Sequence, residues 1–256
     1  YFAQWSEDQQ SVLRAVKKNG GLQCIEDALG NISKERIVII GEPIVDTYIF
    51  CTPESISSKS PTISARYIYE ENYAGGALAI ANHLADFTAG VTLLTTHGGE
   101  EYFTSLLKEK MDHRVEVKAQ ELRRIPTPRK SRYIADNRYQ RIFEITQLQH
   151  DQWSRYSPSE FCALLEKTTF GADTVLVADF GHGLCEGAVL ESLANIKSFM
   201  GLNVQTNSSN YGFNSFTKHK RFSHLSIDTI ETRIAYHDRF ASPVDLLRRI
   251  RMDYAG

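Results

Sequence analysis

The sequence lacks any uninterrupted apolar run long enough to cross a bilayer, and no signal peptide is visible at its start. No membrane partner is expected. It also lacks an excess of either charge: 29 Lys and Arg face 31 Asp and Glu, a net of −2. So near-neutral a balance offers no long-range field for a nucleic acid. Cysteine is sparse. Cys24, Cys51, Cys162 and Cys185 stand far apart and form no CxxC pair, so neither zinc nor a disulfide framework is implied, and reduced thiols in a cytoplasmic protein are expected. No residues show a metal site's own ligand spacing, so metal: none is the expectation from spacing alone.

What is present describes one large α/β domain with a small appendage: 256 residues, 42% hydrophobic and 23% charged. Residues 1–34 read as a polar helical linker or brace. One helix is expected over Ser6 to Lys18 and a second over Leu22 to Leu29, ending at Gly30, with Asn19-Gly20-Gly21 between them. Residues 35–256 change period. Buried strands are expected at Ile37–Ile40, Val91–Thr95, Thr174–Ala178, Leu202–Gln205 and Leu225–Ile227. Helices are expected at Ala77–Phe87, Glu101–Met111, Pro158–Phe170, Ala188–Met200 and Ile230–His237. Such alternation predicts a doubly wound, mostly parallel sheet.

Two insertions interrupt that rhythm, at about 47–73 and 115–148. In the second, Lys130 to Ile134 and Gln140 to Ile145 flank the turn signal Asp136-Asn137, which predicts a β-hairpin. Lys130 and Arg132 alternate on one strand and so share a face, where two cations can clamp a phosphate or simply meet solvent. The pair Gly75-Gly76 opens the Ala-rich segment from Ala77. Adjacent glycines permit unusual backbone angles and let a ligand approach bare N–H groups, so the pair is a candidate hinge and a candidate ligand floor. Two apolar strands run out into carboxylates: Ile37 to Gly41 leads to Asp46, and Thr174 to Ala178 leads to Asp179 in the loop Asp179-Phe180-Gly181-His182-Gly183. In an open parallel sheet, ligands bind beyond such strand ends.

In this order, these segments resemble the ribokinase-like (PfkB) carbohydrate kinases, and most of all their heptose-phosphate kinase branch, over about Arg36 to Pro243. The resemblance implies ATP-dependent phosphorylation of a sugar or sugar phosphate, with ATP and Mg2+ as cofactors. It also implies a small β-lid that closes over the sugar and pairs two subunits into a homodimer. A lid excludes water, which would otherwise hydrolyse the phosphoryl donor. The implied acceptor contacts are Asp46, Gly75, Gly76, Asn82 and Asp179, with Lys130 and Arg132 closing from the lid within a Thr-x-x-Lys-x-Arg pattern. Asp228-Thr229-Ile230-Glu231 stands where the family has Asn-x-x-Glu, a motif of the nucleotide and magnesium network. Asp228 as the N-cap of a helix is compatible with that role.

The sequence also departs from the family. His182 replaces a lysine, Ala79 stands where many members carry a sugar-binding Asn, and Val204 to Asn207 replaces Asp-Pro-Lys with neutral amides. The Gly-Ala-Gly-Asp signature, whose N–H groups form the anion hole and whose Asp is the base, is not in the sequence. The expectation is a kinase lacking its C-terminal part, opening at Tyr1 behind some preceding segment. The alternative is a non-catalytic sugar-phosphate-binding or dimerisation module of a larger nucleotide-sugar enzyme. A nucleoside or cofactor kinase of the same fold is a third option.

Overall fold

The computed structural model describes residues 5–56, 62–123, 125–137, 139–148 and 157–254. Part of the first expected insertion, residues 57–61, and the two chain ends at 1–4 and 255–256 lie outside them. The chain begins with α1 (Glu7–Lys18) and α2 (Gly21–Ile32). A capping box between Ser6 and Gln9 starts α1, with Glu7 and Asp8 in its first turn and Lys17 and Lys18 in its last, as the helix dipole favours. Gly30 lies inside α2 instead of ending it; the helix runs on to Ile32 and its C-cap is Ser33, three residues after the glycine.

A six-stranded sheet follows, in the order β10-β9-β8-β1-β4-β5, with every neighbouring pair parallel. Its strands are β1 (Ile37–Gly41), β4 (Val91–His97), β5 (Val115–Glu121), β8 (Thr174–Asp179), β9 (Phe199–Val204) and β10 (His224–Ser226). Side chains of β1 alternate between two cores. Val38 and Ile40 join Val175, Val177, Phe161 and Leu165 on one face. Ile37 and Ile39 join Leu93, Leu78, Ala81 and Phe103 on the other. The helices that close those faces are α5 (Ser159–Thr169) and α6 (Gly187–Ala194) on the first, and α3 (Ala77–Ala85) and α4 (Glu101–Lys110) on the second. The chain continues through α7 (Thr229–Ala235) to α8 (Pro243–Tyr254). This is the doubly wound parallel architecture that the alternation of elements predicts.

The second sheet is the lid. It has four strands in the order β3-β2-β6-β7: β2 (Pro43–Ile56), β3 (Ile63–Gly76), β6 (Arg129–Ala135) and β7 (Gln140–Gln147). The expected hairpin is β6–β7, antiparallel, with Lys130 opposite Thr146 and Arg132 opposite Glu144. The lid begins earlier than expected: only Glu42 separates β1 from β2, so Asp46 lies on a lid strand and not in a loop. The second insertion is shorter than expected, because Val115–Glu121 is the edge strand β5 of the main sheet. Its few apolar residues suit an edge strand that is only partly covered. The helix expected to run to Met200 stops at Ala194, since Met200, Leu202 and Val204 are needed in the core as strand β9. Helix α8 was not expected; it presents Leu246 to the interior and keeps most of its other side chains in solvent.

Candidate functional site

The crossing between the two sheets sets the site. The chain leaves the main sheet at Glu42-Pro43 and returns at Gly75-Gly76, and these points are register partners: Pro43 pairs with Gly76 and Ile44 with Gly75. Gly76 caps α3 at φ 58°, ψ −134°, a region that L side chains avoid. A Cβ there would stand 2.7 Å from the Glu42 carbonyl oxygen, which already accepts the Ala77 N–H at 3.0 Å. Glycine is required because the two crossings touch.

The bare Cα of Gly75 is covered by the carboxylate of Asp46, which any side chain at 75 would strike. Asp46 pairs with Arg132, which is held on its other side by Glu144 at 2.9 Å and lies 5.3 Å above the Tyr48 ring. Arg132 is thus engaged by two carboxylates. Lys130, half-buried and in register with Asp46, has no charged partner among the described residues. Arg129 points to the opposite lid face, where it donates to Thr47 Oγ1 at 2.9 Å and lies 5.3 Å from the Tyr102 ring of α4. Thr127 anchors the approach to β6: its N–H and hydroxyl both reach Glu100, at 2.9 and 2.7 Å.

Beyond the carboxyl ends of β1 and β8 lie two buried carboxylates. Glu42 accepts the N–H groups of Phe180 at 2.9 Å, His182 at 3.1 Å and Leu184 at 3.2 Å. Burial, and after it the charge of Asp179, push Glu42 up to about 7. Asp179 Oδ2 receives His219 Nε2 at 2.8 Å and Lys218 Nζ at 2.9 Å, and Oδ1 receives the Gly181 N–H at 3.0 Å and Asn214 Nδ2 at 3.1 Å. Burial alone would raise Asp179, but His219 and Lys218 hold it below the usual carboxylate range. Asn207 and Asn210 add side-chain amide bonds to the Phe180 carbonyl at 2.9 and 3.0 Å. A cleft of about 340 Å3 opens beside this loop, lined by Gly181, Gly183, Glu186, Ser209 and Phe213.

Of the residues singled out from the sequence, the structure brings together Asp46, Gly75, Gly76, Lys130 and Arg132 at the lid crossing. Asp179 lies at the end of β8 with its carboxylate enclosed. Asn82 faces elsewhere: its amide donates to the Lys110 carbonyl at 2.7 Å and accepts the Asp112 N–H at 3.0 Å, tying α3 to the end of α4. Asp228 and Glu231 form a capping box for α7, and Glu231 also accepts the Thr206 N–H at 2.7 Å, fastening the end of β9. Sequence reasoning passed over Glu42, Asn214, Lys218 and His219. The signal for Glu42 was present, a lone acid directly after a five-residue buried strand; Lys218 and His219 carry none, since their partner is 39 or 40 positions away.

Known structures share this layout. A carbohydrate kinase from Agrobacterium tumefaciens superposes with a TM-score of 0.59 at 15% identity, over 84% of this chain and 67% of that one. The ribokinase of Arabidopsis thaliana, solved with ribose and ATP, gives 0.54 at 12% identity, over 86% and 68%. The fold is ribokinase-like. Phosphofructokinase-2 of Escherichia coli, in complex with fructose-6-phosphate, gives 0.56 at 14%, over 86% and 69%. At the level of sequence, the ribokinase-like chain is 28% identical to the bifunctional protein HldE of Trichlorobacter lovleyi over 176 residues, 68% of this chain and 35% of that protein. HldE of Campylobacter jejuni subsp. doylei is 28% identical over 172 residues, 67% and 35%. The chain therefore spans about a third of the length of these curated relatives. No family model matches it.

Proposed function

We propose that this ribokinase-like chain binds the acceptor of a PfkB-type kinase, which transfers phosphate from ATP to a hydroxyl of a sugar or sugar phosphate, in the manner of a heptose phosphate. The observation that carries the reading is Asp46, a partly exposed carboxylate set over the bare backbone of Gly75 where lid and main sheet cross. A carboxylate there can accept hydrogen bonds from two sugar hydroxyls, and the missing side chain at Gly75 lets that carboxylate lie against the backbone of the crossing. Lys130 is the cation left to meet a phosphate already on the acceptor, because Arg132 is neutralised by Asp46 and Glu144. The lid exposes Ile63, Tyr67, Ile68, Phe143 and Ile145, an apolar surface suited to pairing two lids in a homodimer.

ATP with Mg2+ would supply the phosphoryl group and offset its charge. The described residues do not form a magnesium site by themselves: no group of three or more His, Cys, Asp or Glu converges among them, and Asp228 and Glu231 are engaged in the α7 cap. No transfer step is assigned to this chain's own residues on that account. Engagement of Arg132, Asp179 and Asp228 in internal bonds favours a second reading, a sugar-phosphate-binding or dimerisation module without catalysis.

The test is release of ADP from ATP by the whole protein, with a panel of sugars and sugar phosphates, alongside acceptor binding by calorimetry. Acceptor-dependent ADP release that is lost in Asp46→Asn supports the kinase. Binding that needs Asp46 and Lys130 without ADP release supports the module. No binding of any acceptor overturns both.

A further inference from the structure

The Lys218 ammonium lies where three oxygens converge: Asn214 Oδ1 at 2.7 Å, Glu186 Oε1 at 2.8 Å and Asp179 Oδ2 at 2.9 Å. An ammonium has three N–H donors, so this set satisfies it completely. The side chain is delivered rigidly. It sits at the end of a single 3-10 turn, Phe216–Lys218, whose Phe216 is fully buried and packs against Phe222, Tyr236 and Tyr254 at ring separations of 6.4, 5.7 and 5.9 Å. Helix α8 thereby buttresses the turn through Tyr254.

We propose that Lys218 is a built-in cation that positions the candidate site. It offsets the buried Glu42 and Asp179 carboxylates and so holds the loop Phe180–Leu184 and the segment 205–215 in one arrangement. Glu42 and Asp179 grip that loop from two sides, Glu42 through three N–H groups and Asp179 through the Gly181 N–H and Asn214. Two carboxylates confined together repel and are costly to desolvate, and the fixed positive charge in contact with Asp179 removes part of that cost. Because the cation is covalently part of the chain, ordering of the loop at this point is independent of any dissolved ion. The loop's consequence for ligand binding rests on the acceptor reading above; its ordering does not.

The test is hydrogen exchange of the whole protein without sugar or nucleotide, comparing Lys218→Met, Lys218→Ala and Lys218→Arg. Exchange of the amides from Phe180 to Leu184 is expected to quicken by about tenfold or more in the Met and Ala variants, with β4 and β5 unchanged. Ethylammonium chloride is expected to slow it again in the Ala variant, whose cavity admits the ion, and not in the Met variant, whose side chain fills the space. The Arg variant keeps the charge and is expected to retain most protection, which preserves the test if the neutral variants do not fold. Unchanged exchange in the Met variant, identical responses of the Ala and Met variants to ethylammonium, or an Arg variant as unprotected as a neutral one would each overturn the proposal. Since no acceptor is present, such a failure leaves the acceptor reading standing.

Discussion

Two carboxylate–cation groups flank the same sheet edge and are built oppositely. At the centre of the Asp179 group the carboxylate is sealed: the Asp179 side chain is 0% exposed, that of Lys218 17%, and every acceptor position of Asp179 is taken, with only the outer partner Glu186 open to solvent. Around Asp46 the carboxylates remain reachable: Asp46 is 22% exposed and Glu144 34%, though Arg132 between them is 13%, and Lys130 has no charged partner among the described residues. A sealed group orders backbone, and a reachable one can exchange its partners for a ligand. The contrast separates two carboxylates that look alike when each is read as the acid following an apolar strand.

The largest effect is expected from breaking the sealed group. Asp179→Asn removes the buried anion that His219 and Lys218 share, leaving Lys218 only the outer Glu186 carboxylate, and is expected to cost about 3–5 kcal/mol of unfolding free energy, measured by urea denaturation. A cost below about 1 kcal/mol would mean that the cluster is not sealed in solution. Next comes the crossing itself: Gly76→Ala forces a Cβ against the Glu42 carbonyl in a conformation that alanine resists, for about 1–3 kcal/mol in the same assay. Gly30→Ala, on an exposed helix with no atom within 4 Å of the added Cβ, serves as its counterpart and is expected to be neutral or slightly stabilising.

Acidity sharpens the comparison further. Glu42 has its native pKa raised, up to about 7 from an ordinary value of 4.5, so the folded state holds its proton more tightly than the unfolded chain. Its contribution is therefore fully present below about 4.5 and is lost as pH rises towards 7. Relative to Glu42→Gln, the wild-type chain is expected to lose on the order of 1–3 kcal/mol between pH 5 and pH 8. Parallel stability–pH curves for the two proteins would contradict this. The smallest effect belongs to the reachable group. Arg132→Gln is expected to change stability by about 1 kcal/mol or less, because the carboxylates of the two pairs it breaks, Asp46 and Glu144, are partly solvated, while altering acceptor binding by calorimetry more than Asp179→Asn does per unit of stability lost.

Much of the fold was legible because it follows local periodicity. The apolar run Ile37 to Ile40, the Ala-rich segment after Gly75-Gly76 and the hairpin around Asp136-Asn137 each announce their element within a few residues. From sequence Val115–Glu121 reads as part of the lid, since a short strand with polar alternation looks the same at the edge of either sheet. Met200 reads as helical because an apolar residue near a helical stretch does not reveal which core needs it. In the site, Asp46 and the glycine pair could be named from sequence. Whether Arg132 was free could not, because its neutraliser Asp46 is 86 positions away.

Local pattern is enough to read the alternation of strands and helices, the glycine crossing and the position of carboxylates after two strands, because those depend on side-chain periodicity and backbone freedom over a few residues. Which carboxylate is enclosed and which stays open is a property of the assembled fold. That outcome depends on strand order, which brings Glu42 to the 180–184 loop across as many as 142 positions and Lys218 to Asp179 across 39. Burial and pairing of a charge belong to the surroundings that the fold assembles, and no local pattern encodes them.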